Sequence, residues 1–330
     1  MAEITFHNRR AVQIENAALR LTVTMEGGHI AEILDKASGV NPLWIPPWPS
    51  IEPSGYDAAR HPEYGANSES RLLSGIMGHN LCLDLFGPPS DEEAAAGIGV
   101  HGEASVAPYE ITASEAELTA RCRMPAAQLS FERKIRLSGR RVLIEETVEN
   151  FSALDRPIAW TQHVTLGPPF LERGLTQFRA PVVRSQAISG TPQNLQLYTG
   201  DRSSGSYTTH LMDPAREQAW FAAWSPAVQF AFGYVWRRDD FPWLGVWEEN
   251  RNRTSPPWNG RTFTRGMEFG ASPVAETRRQ MIDRGSMFDT PGYRWIPARS
   301  RVRVEYFAGV GASPAIPESL HALSTLLPAE

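Results

Sequence analysis

Cysteine is nearly absent from this chain: only Cys82 and Cys122 occur among 330 residues. Two cysteines build no disulfide framework and lack the paired spacing of a zinc site, so both read as buried thiols. Long apolar runs are missing too. The longest, such as Val228 to Trp236, are far too short for a membrane helix, and no membrane partner is expected. Residues Met1 to Arg10 carry charge without the apolar stretch of a secretion signal, so a cytoplasmic location is expected. An excess of positive charge is also lacking, because acidic and basic residues intersperse around a formal net charge of −5. That excludes the basic face a nucleic acid needs. There is no phosphate-cradling Gly-rich loop before a helix, no Gly-x-Ser-x-Gly elbow and no HExxH helix.

What is present is alternation. Leu19, Leu21 and Val23 repeat with period two, as do Leu129, Phe131, Ile135 and Leu137, and Val302, Val304 and Tyr306. Such spacing puts one strand face in a core and the other in water. Turn clusters rich in Gly, Pro, Asn, Asp and Ser separate these runs, as at Gly87-Pro-Pro-Ser-Asp and Gly200-Asp-Arg-Ser-Ser-Gly. Many short strands between turns predict an all-β chain, a large antiparallel β-sandwich with few helices. Helical patterns are confined to Glu92–Ala96 and Pro317–Leu327. No linker composition and no repeat interrupts the chain, so residues 1–330 are expected to form one domain. Residues 42–65 are irregular and rich in proline and aromatics (Trp44, Trp48, Tyr56, Tyr64), a long loop of the kind that carries function.

Several residues could carry chemistry. Six of the ten tryptophans, Trp243 and Trp247 among them, lie between Trp220 and Trp258. Pyranose rings have apolar C–H faces and polar rims, which amphipathic aromatics suit, although core packing is the commoner use of any one tryptophan. His79, His101 and His163 sit in polar, non-periodic surroundings, and imidazole moves protons near neutrality. Glu268 interrupts an apolar stretch, so it is either ion-paired with Arg265 or Arg261 or put to use. His101 and Glu103 would share a strand face, but a third ligand is missing and no metal is expected.

The order of these fragments resembles the galactose mutarotase (aldose 1-epimerase) superfamily. Gly27-Gly-His-Ile-Ala-Glu-Ile and Val100-His-Gly-Glu-Ala are similar to that family's early segments. Pro157-Ile-Ala-Trp-Thr-Gln-His163-Val-Thr-Leu resembles the strand ending in its catalytic histidine. Arg265-Gly-Met-Glu268-Phe-Gly resembles the late strand bearing its catalytic glutamate. The resemblance implies a mutarotase with a free sugar as its partner and no cofactor. It makes His163 the general acid at the ring oxygen, Glu268 the general base at the anomeric hydroxyl, and His101 a second sugar-binding histidine. The two catalytic groups are expected on opposite sides of the ring. Gly75 stands where the family commonly has a sugar-binding arginine, leaving Arg71 or His79 to replace it, and the family's Asp-His segment has no match. A monomer or homodimer is expected. A non-catalytic carbohydrate binder and a saccharide lyase or hydrolase on the same fold are the alternatives.

Overall fold

The computed structural model describes residues 3–202 and 204–328. The alternating runs fold as strands. In Arg141–Asn150 every second residue is buried, and Leu129, Phe131, Ile135 and Leu137 all point into the core from Leu129–Ser138. These strands belong to an eight-stranded sheet ordered Gln177–Arg179, Gln218–Ser225, Phe230–Arg237, Arg301–Ala312, Arg141–Asn150, Leu129–Ser138, Glu117–Met124 and Glu110–Ala113. The second sheet has eleven strands. From its centre to one edge it runs His79–Asp84, Arg156–Leu166, Phe263–Gly270, Trp243–Asn250, Ser204–Met212 and Val182–Ser189. Neighbours in both sheets pair antiparallel. One apolar cluster joins the facing sides, with Trp160, Val164, Met267 and Phe269 from the larger sheet meeting Phe131, Ile144, Phe221 and Tyr306 from the smaller. The architecture is the expected β-sandwich.

The central strands of the larger sheet do not alternate between buried and exposed. From Ile158 to Leu166 every residue is buried, as is nearly all of Phe263–Gly270. One face meets the core and loops roof the other, so the polar residues on that second face are enclosed rather than solvated. Trp44 ties the long proline-rich segment to this face by donating its backbone N–H to the Thr165 carbonyl at 2.8 Å.

Helices are short. Asp91–Ala95 starts at a capping box formed by Ser90 and Glu93, close to the expected position. Leu320–Leu326 is the expected C-terminal helix. Arg278–Arg284, which begins at a Thr277–Gln280 capping box, was not anticipated: only Met281 is buried along it, so it carries no apolar period to read. Among the described residues no helix is long and apolar enough to cross a membrane.

Candidate active site

Strand pairing brings His163 and Glu268 together. They are direct partners across Arg156–Leu166 and Phe263–Gly270, both on the roofed face, and His163 Nε2 lies 3.1 Å from Glu268 Oε1. The contact is not aligned as a hydrogen bond: among the described residues Glu268 Oε1 has no hydrogen-bonding partner, although its residue is only 3% exposed. Neither Arg265 nor Arg261 neutralises the carboxyl. Arg265 points to the opposite face, where it lies 3.6 Å from Glu248 and over the ring of Phe178. Glycine makes the space. A Cβ at Gly266 would collide with the Glu268 carboxyl, and one at Gly245, the cross-strand partner of Glu268, would collide with the Tyr207 hydroxyl.

Burial sets the protonation of the pair. Desolvation raises Glu268 to about 8, and it lowers His163 to about 3, with His101 and then His29 pushing His163 further in the same direction. Around neutral pH the carboxyl is therefore protonated and the imidazole neutral, so the pair holds one proton to give and one lone pair to receive another. His163 Nδ1 is hydrogen-bonded to Thr165 Oγ1 at 3.0 Å, which fixes the ring. Beside it stand His101, 5.3 Å away between ring centroids, and Trp247, at 5.9 Å. His101 donates Nδ1–H to the Phe86 carbonyl at 2.7 Å, and burial keeps it neutral, so its Nε2 is an acceptor. Its backbone sits at φ 66°, in the left-handed region, and the following Gly102 packs so tightly on the Leu83 carbonyl that a side chain there would clash. The loop carrying His101 is thus pinned to the strand next to that of His163, and it is a turn, not the strand face on which His101 and Glu103 would have stood together.

These residues floor a cavity of about 360 Å³ whose walls include Trp44, Phe86, Val100, Tyr207, Trp247 and Trp258. A wider groove of about 910 Å³ crosses the other sheet. Several of its charges pair with one another, as where Glu145 meets both Lys134 and Arg303, and no histidine is among its described lining residues. The smaller cavity is the one lined by His101, His163 and the buried Glu268 carboxyl.

Three sequence expectations are corrected. His79 does not reach the cavity. Its neighbour Asn80 takes the roofed face, so the strand's two-residue period turns His79 into the sandwich core, where it hydrogen-bonds Tyr234 and Gln162. Trp243 shares a face with Trp247 but lies four residues along the strand, on the order of 13 Å away, and its indole N–H is taken up by the Pro291 carbonyl. Arg71 is on the exposed side of the short helix Ser70–Leu73 and donates to the Pro53 carbonyl, while Leu72 and Leu73 face inward. The space beside Gly75 is filled by Arg9, which is fully buried and bound to Glu52 and to the Gly75 and Glu26 carbonyls. His101 and Trp247 do line the cavity. Sequence reasoning did not assign Tyr207, Trp258, Glu69 or Arg253 to the site. Trp44 lines the cavity too, from within the irregular aromatic segment 42–65.

Comparison with solved structures places this architecture. A candidate aldose 1-epimerase from Klebsiella pneumoniae superimposes with a TM-score of 0.70 over 93% of this chain and 80% of its own, at 16% identity. A galactose mutarotase-like protein from Clostridium acetobutylicum gives 0.63, at 11% identity, over 94% and 98% of the two chains. The fold is galactose mutarotase-like. A galactose mutarotase related enzyme from Lactobacillus acidophilus matches the mutarotase-like fold equally completely, covering 93% of this chain and 99% of its own with a TM-score of 0.61 at 12% identity. No protein-family model matches the chain, and no curated protein matches it in sequence. At these identities the likeness is one of fold, and the chemistry of the cleft has to be argued from its own residues.

Proposed function

We propose that the cleft binds a free aldose and interconverts its α and β anomers, with His163 and Glu268 as the proton-transferring pair. The observation that carries this reading is the juxtaposition of two buried, oppositely suited proton groups on the floor of a ring-sized, aromatic-walled cavity. Opening a hemiacetal requires loss of the O1 proton and gain of a proton at the ring oxygen O5. As O1–H is deprotonated, C1=O1 forms and the C1–O5 bond breaks onto the incoming proton. Both oxygens are bonded to C1, so two groups in contact with each other can serve them from one edge of the ring. The expected arrangement across opposite sides is not needed. Rotation about C1–C2 then presents the other carbonyl face, and closure returns both protons by the reverse transfers. In the tautomer that donates Nδ1–H to Thr165, Nε2 of His163 is the open acceptor for the O1 proton and the Glu268 carboxyl the donor to O5, the reverse of the roles the family resemblance implies. Each role reverses on ring closure, so the same pair completes the cycle, and a positioned acid or base contributes about 10²–10⁴ in rate.

The direct test is anomer exchange by magnetisation-transfer NMR on a panel of aldoses. Acceleration over the spontaneous rate for at least one sugar is the expected result. Binding without acceleration for every sugar would instead make the protein a carbohydrate binder.

Two further outcomes are expected. kcat/KM for exchange should be level through the weakly acidic and neutral range and fall above a midpoint near 8, where Glu268 loses the only transferable proton of the pair. A pH profile of Glu268→Gln that kept this alkaline limb would assign it elsewhere. Gly266→Ala should push the Glu268 carboxyl off its position. Since a displacement of about 1 Å can cost on the order of a hundredfold, exchange should drop by at least tenfold at saturating sugar. Initial rates of the purified, folded variant measure it.

A further inference from the structure

The cleft is unevenly lined. Trp44, Leu72, Ile76, Val100 and Trp258 pack together as one apolar cluster, and all five face the cavity. This wall adjoins the site at two points: Trp44 is held on the main chain of Thr165, two residues beyond His163, and Val100 immediately precedes His101, whose ring lies 5.3 Å from that of His163. Leu72, Ile76 and Val100 offer no hydrogen-bonding side-chain atom. At the mouth, Arg253 is compensated by Glu69 at 3.2 Å and Glu249 at 3.4 Å. Among the described lining residues there is thus no unpaired cation to draw a phosphorylated or acidic sugar.

Ring chemistry connects this wall to a substrate. When O1 and O5 lie on the pair, C5, bonded to O5, brings its substituent against the walls next to the pair. A hydroxymethyl group would set a hydroxyl against aliphatic carbon and lose a hydrogen bond to water, whereas a methyl group would only bury apolar surface. We propose, resting on the anomerase reading above, that the preferred substrate is a 6-deoxyaldose whose C5 methyl packs against Trp44, Leu72, Ile76 and Val100.

Matched sugars of identical ring configuration test this: galactose against 6-deoxygalactose, glucose against 6-deoxyglucose, and mannose against 6-deoxymannose, each followed by anomer exchange with the wild-type protein. In the pair turned over fastest, the 6-deoxy member should have the higher kcat/KM by roughly ten- to a hundredfold, the range an apolar pocket achieves against an added hydroxyl. Val100→Thr, which adds a hydroxyl to the wall at nearly constant volume, should shrink that ratio several-fold by improving the hydroxymethyl sugar. Equal or better turnover of the hydroxymethyl member in every accepted pair would overturn the substrate class and leave the anomerase reading standing. No acceleration for any sugar of either kind would overturn both.

Discussion

Glu268→Gln and His163→Ala should each cut enzyme-driven anomer exchange by roughly a hundredfold or more, with the sugar still bound. The glutamine keeps the size and burial of Glu268 but holds no proton that it can give up and take back. The alanine removes Nε2, the acceptor 3.1 Å from the carboxyl. Because the pair passes one proton out and takes one in, neither residue can finish the cycle alone. The double variant should therefore be about as slow as the slower single one, not slower by the product of the two losses. Steady-state rates at saturating sugar, with Kd measured separately, check this. Near-normal exchange in both single variants would remove the two residues from the mechanism.

Arg133→Met should unfold the protein more easily than any surface change. Arg133 and Glu146 form an ion pair at 2.7 Å between the sheets, and both are essentially inaccessible to water. Around it, Trp160, Gln162 and Tyr306 all donate to the Glu146 carboxylate, His79 is hydrogen-bonded to Gln162, and Arg133 also reaches the Gly28 carbonyl. Removing the cation leaves a buried carboxylate with donors but no counter-charge, a loss of about 3–5 kcal/mol. For a chain of this size that corresponds to a fall in Tm of about 4–7 °C. Pairing the change with Glu146→Gln, which keeps an acceptor and discards the charge, should restore part of it. Calorimetry of the single and double variants gives the answer, and an unchanged Tm for Arg133→Met would show that the network does not hold the sheets together.

His79 and His163 show where sequence reading reached and where it stopped. Both histidines stand in polar, non-periodic stretches, and nothing local separates them. The structure separates them by pleat: His79 is paired with Val164, which faces the core, and His163 with Asn80, which faces the cleft. That parity depends on which strands become neighbours, and in the larger sheet Arg156–Leu166 is flanked by strands far from it in the chain. The alternation of Leu129, Phe131, Ile135 and Leu137 needed no such knowledge, because one face of that strand meets solvent and its period is visible locally. In strands buried on both faces the period vanishes, and the polar residues that build the site are what remain legible. Glu268 stood out for this reason, whereas His163 was set apart from the other histidines by the family resemblance alone, and their contact across the sheet was not legible. Trp243 was misplaced by a matter of distance along one strand, and Arg71 by the turn of a helix only four residues long.

How a sugar ring sits over that contact is decisive, and a crystal structure with an aldose bound in the cleft measures it. O1 and O5 should lie within hydrogen-bonding distance of Glu268 and His163, one oxygen on each residue. A ring turned so that the pair meets only hydroxyls on C3 and C4, with the anomeric carbon facing the mouth, would contradict it.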